Sequence, residues 1–314
     1  MTLVITEKIK EFKKDNDMDA LMLAIKAVHS VAVNSTSVSE ADLNRQRASQ
    51  EKFSKLVTPN LLVDTESFTL QHMQCEWVRP QFSHNKKNII LYCHGGGYTA
   101  GGLGYARILA AKMALATGME VLTFDYRLAP ENPYPAAIED GMTAWNYLMR
   151  LGYGARDAVI AGDSAGGNLA LEIGLHLKAQ RRMLPGAFVL FSPWTDMRLV
   201  GASYENLKDK DPLLTIDYIR AVRGAYLGEK ADYSMAEFSP LLGDLSGWPP
   251  TLVQVGSNEI LKSDSESLVR KLKSLDRNAR LEVYKGGWHV FQQMPIPMAQ
   301  RAIKEVDEFL RSVL

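Results

Sequence analysis

The sequence predicts an α/β fold: a mostly parallel sheet of eight strands, helices on both of its faces, and a helical segment inserted late in the chain. Three observations carry that reading. From Ile89 onward, short unbroken apolar runs alternate with longer amphipathic stretches, and strands buried on both faces read as such runs. Gly162-Asp163-Ser164-Ala165-Gly166 stands between an apolar run and a helical stretch. About sixty residues then separate two of the apolar runs, far more than an ordinary connection needs.

The elements follow in order. Residues 1 to about 55 read as helices that precede the sheet, with apolar spacing at Ile5, Ile9 and Phe12 and an apolar stretch over 20–33. That stretch is broken by Lys26 and His29 and is too short to span a bilayer. Alternation through Phe68, Leu70, His72, Gln74, Glu76 and Val78 predicts strands at a sheet edge. Strands are expected at 89–92, 121–124, 158–161 and 188–191, with helices at 103–117, 134–150 and 165–180 between or after them. In the long gap Thr215 is a candidate N-cap, and Ile216, Ile219, Val222 and Tyr226 share one helix face. A strand at 252–255, a helix after Glu259, a last strand at 281–284 and a closing helix striped by Ile303, Val306 and Leu310 complete the pattern. The chain divides into N-terminal helices (1–55) and an insertion (197–247), which together form a cap, and a core built from 56–196 and 248–314.

Composition bounds the function. With 314 residues, 46% of them apolar, the chain can bury one large domain with a lid, or two ordinary domains. Lys and Arg number 36 and Asp and Glu 36, so the net charge is zero. Nothing therefore points to nucleic acid or to an anionic membrane as partner. Cys75 and Cys93 make neither a disulfide framework nor a metal-ligand cluster; both are expected reduced and partly buried. Glu7, Lys8, Lys10 and Glu11 interrupt any signal-peptide core. The expectation is a soluble, cytoplasmic protein.

The chemistry sits at the junctions. A Gly-x-Ser-x-Gly between strand and helix is the pattern of a nucleophile on a sharp turn, so Ser164 is the candidate nucleophile. A phosphate-binding glycine turn is the competing reading, and no Gly-Lys-Ser/Thr follows to support it. After the 89–93 run comes His94-Gly95-Gly96-Gly97-Tyr98. Successive glycines let N–H groups point into a cavity, which assigns Gly95 and Gly96 as oxyanion donors with Ala165 as the third. His94 precedes the serine and reads as a residue that holds this loop. His289, just after the last strand, is the candidate base. His29 and His176 fall in helical patterns, and His72 and His84 come before the elbow. For the orienting acid, Glu259 at a loop-to-helix junction is preferred. Asp264, a turn into the helix and read as solvated, and Asp196, after the earlier strand, are the alternatives.

Together these motifs resemble the hormone-sensitive-lipase branch of the α/β hydrolases, the bacterial carboxylesterase group. The marks are His94-Gly95-Gly96-Gly97-Tyr98, Asp125-Tyr126-Arg127-Leu128-Ala129-Pro130-Glu131, Gly162 to Asn168, Ser192-Pro193-Trp194-Thr195-Asp196 and Trp288-His289-Val290-Phe291, from about residue 70 to the end. The resemblance implies a serine carboxylesterase with a helical cap and no metal or organic cofactor, acting on a small-molecule ester. It also lands the family's acid on Glu259, where most members carry Asp. It implies a structural role for Arg127 and Glu131, expected as a buried ion pair that steadies the oxyanion loop. Relatives often dimerise through the edge strand, here 281–284, which leaves a homodimer open. Lactone hydrolases with similar motifs are the runner-up. A non-catalytic receptor on the same fold is more remote, because receptors resembling this branch have lost the histidine that this chain keeps.

Overall fold

The computed structural model describes residues 38–57 and 62–314. The spacing at Ile5, Ile9 and Phe12 and the 20–33 stretch lie outside the described residues. Helix α1 (Glu40–Val57) comes first. It is followed by an antiparallel hairpin of β1 (Val63–Leu70) and β2 (Met73–Pro80), the edge pair that the alternating sequence predicts. In β3 (Asn85–Cys93), Ile89, Leu91 and Cys93 pack into one core cluster while Ile90 and Tyr92 pack into another. Successive side chains leave a strand on opposite faces, so one apolar run feeds two cores.

The rest alternates: α2 (Leu103–Thr117), β4 (Met119–Phe124), α3 (Ala136–Arg150), β5 (Ala158–Asp163), α4 (Ala165–Ala179) and β6 (Ala187–Phe191). After the insertion come β7 (Thr251–Gly256), a helix at Lys262–Ser274, β8 (Ala279–Tyr284) and a closing helix at Pro297–Val313. The sheet has eight strands in the order β1-β2-β4-β3-β5-β6-β7-β8. It is parallel from β4 to β8 and antiparallel only where β2 joins β1 and β4. This is the predicted mostly parallel sheet with helices on both faces. Every residue of β4, β5, β6 and β7 is buried, as layers on both sides require. α2 and the closing helix supply one layer, through residues such as Leu109, Met113, Val306 and Leu310. α3, α4 and the 262–274 helix supply the other, through Trp145, Leu169, Ile173 and Leu268. Each large apolar side chain so buried contributes about 1.5–3 kcal/mol. Cys75 and Cys93 are free and fully buried, more deeply than the sequence suggests, because both lie on strands paired on either side and point into the core.

The segment between β6 and β7 holds two helices, α5 (Ser203–Asn206) and α6 (Ile216–Leu227). Thr215 caps α6, its hydroxyl accepting from the Tyr218 N–H at 3.2 Å, and Tyr218, Ile219, Val222 and Tyr226 form its buried face. The later helices are then α7 (Lys262–Ser274) and α8 (Pro297–Val313). The chain leaves β3 toward β4 on one side and β5 toward β6 on the other. Loops after β3 and β5 therefore diverge and open a crevice at their C-terminal ends, where sheets of this kind hold ligands. Among the described residues no helix is long and apolar enough to cross a membrane.

Candidate active site

Ser164 sits between β5 and α4 at φ 55°, ψ −120°, a backbone conformation costly for any residue with a side chain. The turn is over-determined by its neighbours. The Ser164 N–H bonds the Phe191 carbonyl at 2.9 Å, and the Ser164 carbonyl accepts from Gly167, Asn168 and Trp194 N–H groups. A Cβ on Gly166 would overlap the Cys93 and His94 carbonyls, and one on Gly162 the Gly166 carbonyl. Gly166 is thus required by the close approach of the elbow to the end of β3, and Gly162 by the tightness of the elbow itself. Ala165 opens α4, where the first N–H groups of a helix have no partner within it.

The loop after β3 is fastened to the elbow by Asp163, which the sequence reading passed over as the variable position of its motif. Its carboxylate is fully buried. It accepts from the Gly95 N–H at 2.8 Å, from the Tyr105 hydroxyl at 2.8 Å and from the Tyr92 hydroxyl. Gly95 is therefore corrected as an oxyanion donor: its N–H is spent on a buried carboxylate. Gly96 and Gly97, at φ 118° and 65°, line the cavity beside Ser164 instead. His94 holds the loop, as expected. It is fully buried, stacks on Tyr126 at 4.2 Å between centroids, and its Nδ1 lies 2.8 Å from the Gly95 carbonyl. Burial holds its pKa below the ordinary imidazole value, against the pull of Asp125.

His289 follows β8, with Nδ1 3.0 Å from Glu259 Oε2. Oε1 of Glu259 accepts from the Ser192 hydroxyl and the Gly256 N–H, each at 2.9 Å. Ser192 Oγ also accepts from the Val290 N–H at 3.2 Å, so one serine braces both the acid and the chain next to the imidazole. The sequence reading named Ser192 only as part of a motif, without a role. Burial pushes the His289 pKa down, but the hydrogen bond and charge of Glu259, with the charges of Asp211 and Asp163, together outweigh it, and the net shift is upward. The other acids are elsewhere. Asp264 is not a solvated residue: it is buried, and its Oδ2 accepts from the Thr195 and Asp196 N–H groups at 2.8 and 3.0 Å. Asp196 pairs with Arg198 at 2.8 Å.

The expected Arg127–Glu131 pair is also corrected. Arg127 reaches back to α3, to Asp140 at 2.9 Å and Glu139 at 2.8 Å. Glu131 is half-exposed and takes Arg47 of α1 at 2.7 Å. The two side chains face different elements because one lies at the foot of α3 and the other under α1.

Ser164, His289, Gly96 and Gly97 line one cavity of about 80 Å³. Its outer wall comes from Leu213, Leu214, Tyr218 and Ile219 of the insertion and from Gln46 and Gln50 of α1, and Gln46 bonds the Tyr218 hydroxyl across that seam. Tyr98 of the glycine loop stacks on Tyr226 of α6 at 3.8 Å and donates to Asn168 Oδ1 at 2.7 Å. A hydroxyl on a strained turn, an imidazole backed by a buried carboxylate, and N–H groups at a helix start can together carry acyl transfer.

Comparison with known proteins agrees with this frame. A model described as the alpha/beta hydrolase fold matches residues 90–293. The chain belongs to the α/β-hydrolase family. This α/β-hydrolase is 35% identical over 272 residues to an esterase of Acinetobacter venetianus, covering 86% of this chain and 89% of that one. It is 35% identical over 266 residues to an acetyl-hydrolase of Streptomyces hygroscopicus, covering 84% and 86%. It superposes on the crystal structure of an esterase from the bacterial hormone-sensitive lipase family with a TM-score of 0.87 and 32% identity, over 96% of this chain and 99% of the other. It is a carboxylic ester hydrolase of that hormone-sensitive-lipase-like kind.

Proposed function

We propose that this α/β-hydrolase cleaves short-chain acyl esters through an acyl-enzyme on Ser164. Ser164 Oγ attacks the ester carbonyl while His289 takes its proton. Glu259 orients the imidazole and stabilises its charged form. N–H groups of Gly96, Gly97 and Ala165 receive the developing oxyanion. His289 then gives the proton to the departing alcohol, and a water activated by the same imidazole releases the acid. The observation that carries this reading is the His289–Glu259 contact at 3.0 Å beside a cavity shared with Ser164.

The short acyl chain follows from the cavity. A space of about 80 Å³ closed by Leu213, Leu214 and Ile219 is small against the roughly 300–1,000 Å³ of most ligand pockets. Residues 197–247 and helix α1 act here as a cap over Ser164. A relative named as an acetyl-hydrolase fits the same size class. Each methylene that fits adds about 0.8 kcal/mol of burial, and one that overfills costs about 1–3 kcal/mol. The profile of kcat/KM over p-nitrophenyl esters from acetate to palmitate should rise and then drop sharply, with its maximum between about two and six carbons. Ser164→Ala should abolish turnover and fluorophosphonate labelling while leaving the fold intact. A variant that keeps near wild-type rate would overturn the nucleophile, and a maximum at long chains would overturn the closed cap.

A further inference from the structure

One buried carboxylate beside the site has no part in the reaction just described. Asp211 lies in the insertion, 9% exposed. Its Oδ1 accepts from the Leu213 and Leu214 N–H groups, both at 2.9 Å, and its Oδ2 accepts from the Ile260 N–H at 2.8 Å. Leu213 and Leu214 line the cavity over Ser164, and Ile260 is the residue after Glu259. A single side chain thus joins the cavity wall to the backbone next to the acid. The charge of His289 favours the ionised form of Asp211, and Asp211 in turn adds to the pull of Glu259 and Asp163 on the imidazole.

We propose that Asp211 is a positioning residue of this esterase, fixing the Leu213–Leu214 wall against the Glu259 loop and adding negative charge that keeps His289 basic. The proposal rests on His289 being the base. Burial raises the Asp211 carboxyl to about 6, against the three N–H donors that favour its ionised form. A proton on Asp211 removes an acceptor from the wall and a charge from the imidazole at once. Below that pH, substrate binding should therefore weaken in KM in addition to the fall in kcat that protonated His289 imposes.

The test measures kcat and KM for p-nitrophenyl butyrate from about pH 5 to 9 in the wild-type chain, Asp211→Asn, Asp211→Glu and Leu213→Ala. Asp211→Asn should move the acid limb of kcat/KM to lower pH, by on the order of half a unit. At the alkaline plateau it should raise KM several-fold while kcat stays within about threefold. Asp211→Glu keeps the charge and should leave the limb where it is. Leu213→Ala should raise KM without moving the limb, which separates the wall from the charge. An acid limb that is present in the wild type and unmoved in Asp211→Asn overturns the proposal, as does a loss confined to kcat. If Asp211→Asn does not fold, the wild-type chain decides: KM should rise several-fold as the pH falls through about 6, where the Asp211 carboxyl takes its proton, and a KM that stays flat from about pH 9 to 5 overturns the role. A wild-type profile with no acid limb at all refutes the reading of His289 as base, and the role of Asp211 with it.

Discussion

Glu259 has both carboxylate oxygens engaged, Oε1 by Ser192 and Gly256 and Oε2 by His289. A neutral amide there keeps the shape and loses the charge that steadies an imidazolium. Glu259→Gln should lower kcat by roughly 10²–10⁴, read as steady-state rates on a short ester. Asp264→Asn should behave differently. Its carboxylate serves two backbone N–H groups away from the imidazole, so the cost should fall on Tm, with kcat changed less than about tenfold. If Asp264→Asn damages kcat more than Glu259→Gln, the acid is misassigned. The sign of the pH dependence follows from His289. Its pKa lies above the ordinary imidazole value of about 6.5, and only the neutral ring accepts the serine proton. Activity should therefore rise with pH through a midpoint above that value, and a rate flat from alkaline to acid pH would exclude a histidine base.

Elements explain why some glycines are irreplaceable and others are not. Gly166 packs against the carbonyl ends of β3, where a methyl group has no room. Gly118 caps α2 in the left-handed region at φ 66°, with open space around it. Gly118→Ala should cost only about 1 kcal/mol, the penalty of the backbone conformation, while Gly166→Ala should cost several times more and remove activity. Urea melts of the two variants check this, and equal losses would show that the elbow is slacker than its contacts imply. The elements were the legible part of the sequence. Strands at 89–92 and 158–161 and the N-cap at Thr215 are written in local apolar runs and one hydroxyl. Partners across the fold were not legible. Asp163 looks like filler in its pentapeptide, yet its carboxylate takes the Gly95 N–H that sequence reasoning had given to the oxyanion. Arg127 and Glu131 sit four residues apart, yet each pairs with a different helix. Such choices depend on which elements meet, and that is set by sheet order.

Buried acids tie the stability of the whole molecule to pH. Burial raises the pKa of Asp264 to about 7 and of Asp211 to about 6, and Glu172, fully buried, is held well above the ordinary carboxyl range. The native state then binds more protons than the unfolded chain, so stability falls as pH rises through this window. His289, raised as well, acts with the same sign. Tm should be lower at pH 8 than near pH 5.5, each group contributing up to about 1.4 kcal/mol per pH unit. Glu172→Gln should flatten that slope, and an unchanged slope would show that Glu172 is not the buried acid responsible. The two cysteines have a different consequence. Burial pushes the Cys75 thiol up to about 12 and the Cys93 thiol well above its ordinary value, so neither forms the reactive thiolate at neutral pH. The native enzyme should resist alkylating reagents and air oxidation without added reductant. A cysteine introduced at an exposed site such as Val200, 66% exposed, would then be its single reactive handle, ready for a fluorophore or spin label that reports on the insertion as substrate binds.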